Sequence, residues 1–136
     1  MDYREGLEEV RDIIAEIRSR NETVPILVEG EKDVAALRRL GVTGTILTVH
    51  AGVSLVDVCD HIAMAYSEII LLTDWDRKGG RLARAIEKNL SGRTRCITEF
   101  RGRLAGHTMV KDIEGLPSYL DSMQQKIENG RERQPS

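Results

Sequence analysis

Apolar residues recur at helical spacing over residues 4–20, where Leu7, Val10, Ile13, Ile14 and Ile17 alternate with charged positions. Asn21-Glu22-Thr23 ends that pattern. Pro25-Ile26-Leu27-Val28 then forms a short unbroken apolar run, as a strand buried on both faces would. Gly30 permits a tight turn after Glu29, and Val34, Ala35, Leu37 and Leu40 predict a helix over 31–40 closed by Gly41. Thr45–Val49 is β-branched and apolar and predicts a second strand, with His50-Ala51-Gly52 as the loop beyond it. Ser54 with Asp57 three positions on resembles a capping box for a helix over 55–66. Ile69-Ile70-Leu71-Leu72-Thr73 is the strongest strand pattern in the chain, and Asp74–Gly80 reads as the loop after it. Leu82, Ala83, Ile86 and Leu90 predict the next helix, and Thr94–Thr98 a weaker fourth strand. Residues 100–111, with Gly102 and Gly106 among mixed polar positions, read as a loop. Ile113, Leu116, Tyr119, Leu120, Met123 and Ile127 suggest a last helix over 117–128, and residues 129–136 a disordered polar tail.

Strands alternating with helices imply right-handed crossovers and a parallel sheet covered on both sides. The expected architecture is therefore three-layered α/β/α around about four parallel strands. The 136 residues suit one such unit. Residues 1–23 would supply a helix packed on a domain spanning 24–128, followed by the tail 129–136.

Composition adds three constraints. No apolar run approaches the roughly 18 residues of a membrane span, and the N-terminus is too polar for a signal peptide, so a cytoplasmic protein with no membrane partner is expected. Cys59 and Cys96 lack a second Cys or His at metal-ligand spacing and read as small hydrophobes in a reducing compartment. The net charge is −2, yet residues 77–111 hold ten Lys/Arg against two acids (Glu87 and Glu99). Such asymmetry points to a polyanionic partner, against the plainer reading of a solvated basic face. With one Trp, three Tyr and one Phe, an aromatic stacking platform for bases is not expected.

Candidate chemistry sits where ligands of open parallel sheets bind, beyond the carboxyl ends of the strands. The first strand ends at Glu29, and the third at Asp74 and Asp76. Strand alternation would turn both aspartates to one side. Three carboxylates at one edge repel each other, and a divalent cation removes that cost. An all-oxygen set fits Mg²⁺, or Mn²⁺, better than Zn²⁺. Arg77, Lys78, Arg81, Arg84 and Lys88 would track phosphates along the following helix, the alternative being a solvated face paired to Glu87 or neighbouring acids. Lys32 lies near the same edge, as does His50. His107 and Lys111 sit in a segment that could fold over the site, and Asp112 could add a carboxylate. Trp75, between the two aspartates, should point away from them and reads as a packing residue, the alternative being base stacking.

The segments Ile26-Leu27-Val28-Glu29-Gly30-Glu31-Lys32-Asp33 and Ile70-Leu71-Leu72-Thr73-Asp74-Trp75-Asp76-Arg77-Lys78-Gly79-Gly80 resemble the Toprim family. That domain is shared by topoisomerases, bacterial-type primases, certain nucleases, a ribosomal RNA maturase family and recombination-repair proteins. The likeness covers roughly residues 24–115 and is strongest to small stand-alone Toprim proteins. It implies a Toprim-like Rossmannoid fold. It also implies Glu29 as general acid/base or metal ligand, Asp74 and Asp76 as Mg²⁺ ligands, and Gly30 and Gly79 as turn glycines. Asp33 matches an often acidic position that can equally serve the helix start. RNA or DNA would be the partner.

Two rival classes remain. A non-catalytic binding module for nucleic acid or protein would use metal only as a structural aid. A phosphatase of the haloacid-dehalogenase type also carries D-x-D after a strand, but Thr or Val commonly follows the pair there, whereas Arg77-Lys78-Gly79 follows here, and on the third strand. The larger Toprim enzymes add a nucleophilic tyrosine domain or a zinc module, and Tyr3, Tyr66 and Tyr119 read as packing residues on helices.

Overall fold

The structure, a computed structural model, describes residues 3–49 and 52–133. Ten elements follow in chain order: α1 (Tyr3–Arg20), β1 (Ile26–Val28), α2 (Glu31–Arg39), β2 (Ile46–Thr48), α3 (Leu55–Ala65), β3 (Glu68–Leu71), α4 (Arg77–Leu90), β4 (Arg95–Ile97), α5 (Glu99–His107) and α6 (Leu116–Arg133). The four strands form one all-parallel sheet in the order β2-β1-β3-β4.

Alternation along each strand divides the core in two. Ile26 and Val28 of β1, Ile70 and Leu72 at β3, and Ile97 of β4 pack with α1, α2, α5 and α6. Leu27, Ile69 and Leu71 face the other way and pack with α3 and α4 through Val58, Cys59, Ile62, Ala83, Ile86 and Leu90. The three-layer α/β/α expectation is met, and no helix among the described residues is long and apolar enough to cross a membrane. Cys59 is buried, Cys96 half-buried, and both are free. Tyr66 and Tyr119 pack against the two cores, and Tyr3 lies under the Lys126 ammonium.

The end of α1 is fastened to the sheet by one buried side chain. Asn21 donates through Nδ2 to Val24 O and Thr45 O, each at 3.0 Å, and accepts from Gly44 N at 2.8 Å. It thereby ties α1 to the starts of β1 and β2. Asn21→Ala would leave Val24 O and Gly44 N without partners, while Thr45 O keeps its bond from Ile26 N, and is expected to cost about 2–3 kcal/mol in urea unfolding.

Three expectations change. Residues 99–107 form α5, not a loop: Phe100 and Leu104, four apart, bury one side of it despite Gly102 and Gly106. α4 begins at Arg77, so Gly79 and Gly80 lie in its first turn. α6 runs on to Arg133, taking in most of the expected tail, while residues 134–136 and His50 lie outside the described residues.

The sheet order also fixes where a ligand can enter. From β1 the chain steps to β2 on one side, then returns past β1 to β3 and β4 on the other. The carboxyl ends of β1 and β3 therefore flank the topological switch point, where crossovers diverge and leave a crevice.

Candidate metal centre

Glu29 follows β1 directly, and Asp74 follows β3 after Leu72 and Thr73. Leu27 pairs with Leu71 across the two strands, so both chain ends leave the sheet at the same level. The Asp74 backbone N–H donates to Glu29 Oε2 at 2.8 Å, which draws the two acidic positions together across 45 residues of sequence.

Asp74 pays for that position in charge. Burial pushes its carboxyl from 3.8 up to about 7, and Glu29, Asp33, Asp112 and Asp76 push in the same direction. Asp33 is buried in the first turn of α2, where its Oδ2 accepts from Gly30 N at 3.3 Å. Its carboxyl is also raised, by burial first and then by Glu29, Asp112 and Glu114, while the bond from Gly30 acts against the shift. Asp33 thus fills the helix-start role and adds to the negative field.

Asp76 is positioned by a helix, not by strand alternation, because β3 has already ended. It caps α4, and its Oδ1 accepts from Gly79 N at 2.7 Å. Gly79 is there because nothing larger fits: a Cβ on it would lie 1.8 Å from the Asp74 carbonyl oxygen. Gly30 is the residue before α2 and adopts an extended backbone.

Two residues outside the motifs hold the loop. Arg101 on α5 donates through Nε to Thr73 O at 3.0 Å and Asp74 O at 3.2 Å, and through Nη2 to Asp74 O at 2.6 Å. Nothing local in the sequence singles Arg101 out, since its partners lie 27 and 28 positions away. Trp75 packs against the core and fastens the segment before α6: its Nε1 donates to Val110 O at 2.6 Å and its N–H to Lys111 O at 2.8 Å. That attachment brings Asp112 within the field of Asp74, while Asp112 Oδ1 accepts from Gly115 N.

Among the described residues no ion pair within 4 Å reaches Glu29, Asp33, Asp74, Asp76 or Asp112. The acids carry a surplus of negative charge that a cation would relieve. No three of them are already gathered into a ligand shell. The donors at this edge are all oxygen, a set that fits Mg²⁺ or Mn²⁺ better than Zn²⁺.

The basic segment separates into two parts. Arg93 pairs with Asp60, Arg95 with Glu68 and Arg103 with Glu16. Arg77, Lys78, Arg81, Arg84 and Lys88 of α4 are exposed and make no ion pair among the described residues, so the suggested pairing to Glu87 is not formed. Lys32 is likewise exposed at the start of α2. His107 is turned away from the acids, with Nδ1 against Arg103 O and Nε2 3.9 Å from Glu9. Lys111 is exposed.

With the geometry in place, residues 24–105 match the family profile of the Toprim domain. A UPF0292 protein of Methanocaldococcus jannaschii is 34% identical over 120 residues, covering 86% of this chain and 94% of that one. A UPF0292 protein of Thermoplasma volcanium is 32% identical over 105 residues, covering 76% and 88% respectively. Among solved structures, a protein from Aquifex aeolicus is similar with a TM-score of 0.67 at 26% identity, over 76% of this chain and 94% of that one.

Proposed function

Because this chain belongs to the Toprim family, we propose that it is a cytoplasmic, Mg²⁺-dependent protein acting on phosphodiester bonds of RNA or DNA, with hydrolysis as the simplest reaction. The observation that carries this reading is the juxtaposition at one sheet edge. Carboxylates with no cationic partner among the described residues, Asp74 foremost, adjoin a helix whose cations have no acidic partner among them. Each group lacks what a metal-bound phosphate would bring.

Asp74 and Asp76 would hold Mg²⁺ or Mn²⁺, with Glu29 completing the set. When bound, such an ion polarises a phosphoryl oxygen and makes water a better nucleophile. The protein's own groups do the rest. Arg77, Lys78 and Arg81 neutralise strand phosphates and set the register of the backbone without reading its sequence, and Lys32 does so from the other side of the edge. Glu29 keeps one oxygen on the Asp74 amide, which aims its carboxylate and leaves the other oxygen to move a proton.

The direct test is cleavage of single- and double-stranded RNA and DNA with Mg²⁺ or Mn²⁺. Asp76→Asn is expected to reduce the rate by roughly 100-fold or more. Equal cleavage by that variant would remove the enzymatic claim. Salt-dependent binding with no cleavage by the wild type would instead favour a binding module, a reading the unpaired cations of α4 serve equally well.

A further inference from the structure

Beside the acids opens a cleft of about 430 Å³ lined by Trp75, Asp76, Arg77, Gly80, Arg81 and Arg84. That volume lies within the range of small-molecule sites. It has room for a single nucleotide, and only a base freed from its pairing partner could lay its face against Trp75.

The walls differ in chemistry. The indole N–H of Trp75 is already given to Val110 O and its backbone N–H to Lys111 O, so the side chain is fixed and can offer the cleft only ring surface. Arg77, Arg81 and Arg84 supply positive charge with no acidic partner among the described residues. Arg84 Nη1 and Arg101 Nη2 each lie 3.6 Å from where a methyl on Gly80 would sit, so this glycine leaves an open floor between two guanidinium groups. Asp76 is the one acid in the lining, and its Oδ1 is spent on Gly79 N. The larger groove along β2, about 500 Å³, carries Glu31 and Asp57 and has the wrong sign for phosphate.

A cleft that shares an indole and several guanidinium groups selects a ligand that is flat at one end and anionic at the other. We infer that this cleft is a subsite for one unpaired nucleotide of a single strand, its base against Trp75 and its phosphate held by Arg81 and Arg84. The inference rests on the reading that the chain engages nucleic acid. It makes the strand next to the acids single-stranded, and it gives Trp75 a stacking role beside its packing one.

The chain has one tryptophan, so a single emitter reports from the wall of this cleft. The full chain in EDTA and low salt would be titrated with oligothymidylate, an abasic strand of equal length and a blunt duplex. The expected result is saturable quenching by oligothymidylate and unchanged emission with the other two. Arg81→Gln with Arg84→Gln should weaken the quenching interaction about tenfold or more. Absence of quenching while Mg²⁺ uptake is intact, equal quenching by the abasic strand, or an unchanged double variant would each overturn the subsite. If Mg²⁺ uptake fails while quenching persists, the metal reading falls and the subsite stands.

Discussion

Asp74→Asn should make the metal-free protein harder to unfold at pH 8 and at the same time abolish its stabilisation by Mg²⁺. The sign follows from the carboxyl's position. Its value in the fold is pushed to about 7 from 3.8, chiefly by burial and then by Glu29, Asp33, Asp112 and Asp76. Between those two values the folded chain keeps a proton that the unfolded chain has released, so stability falls as pH rises through this window and stays low above it. A shift of that size corresponds to about 4 kcal/mol at most. Asp74 is only half-buried, and solvent screening reduces the effect to about 1–2 kcal/mol. Asparagine carries no such charge, so urea midpoints in EDTA should decline less between pH 5 and pH 8 for the variant than for the wild type. With Mg²⁺ present the order should reverse at pH 8, because only the wild type gains from the ion. A variant as responsive to Mg²⁺ as the wild type would take Asp74 out of the site.

The second large effect comes from a residue with no side chain. In Gly79→Ala the added methyl would lie 1.8 Å from the Asp74 carbonyl oxygen, 2.5 Å from its carbon and 2.9 Å from its Cα. All three are backbone atoms, so no rotamer change relieves the clash, and either the first turn of α4 or the Asp74 loop must move. Alanine in a helix would otherwise be favourable by up to about 1 kcal/mol. Here a net loss of about 3 kcal/mol is expected, together with loss of the Mg²⁺ response. Gly80→Ala provides the contrast. Its methyl would meet only the far ends of Arg84 and Arg101, at 3.6 Å, and the helix should tolerate or gain from it. Equal urea midpoints for the two variants would contradict this account.

How much was legible in the sequence depended on the range of the forces involved. The strands announced themselves because burial on both faces requires unbroken apolar runs such as Ile69–Leu72, and α1 through its periodic isoleucines. Glu29, Asp74 and Asp76 stood out because acid directly after an apolar strand is costly without a purpose. α5 was missed because Gly102, Gly106 and three charged residues obscured the pair that buries it, Phe100 and Leu104. Asp76 was assigned to the right edge for the wrong reason, since the strand ends sooner than its apolar run suggests and a helix cap takes over. Gly79, matched through the resemblance as a turn glycine, lies in a helix, and what requires it is the proximity of the Asp74 backbone. The grip of Arg101 on Asp74 was invisible because such a contact leaves no periodicity to read.

The Arg101 contact changes the status of the helix that precedes the matched segment. Arg103 on α5 meets Glu16 on α1 at 2.7 Å, and Val10, Ile13 and Ile17 share a core with Phe100 and Leu104. α1 therefore works as a buttress: it steadies α5, α5 steadies the Asp74 carbonyl, and the acids inherit their rigidity from a part of the chain that never approaches them. Trimming the protein to residues 24–105 would keep every acid of both motifs and deliver them on a slack hinge.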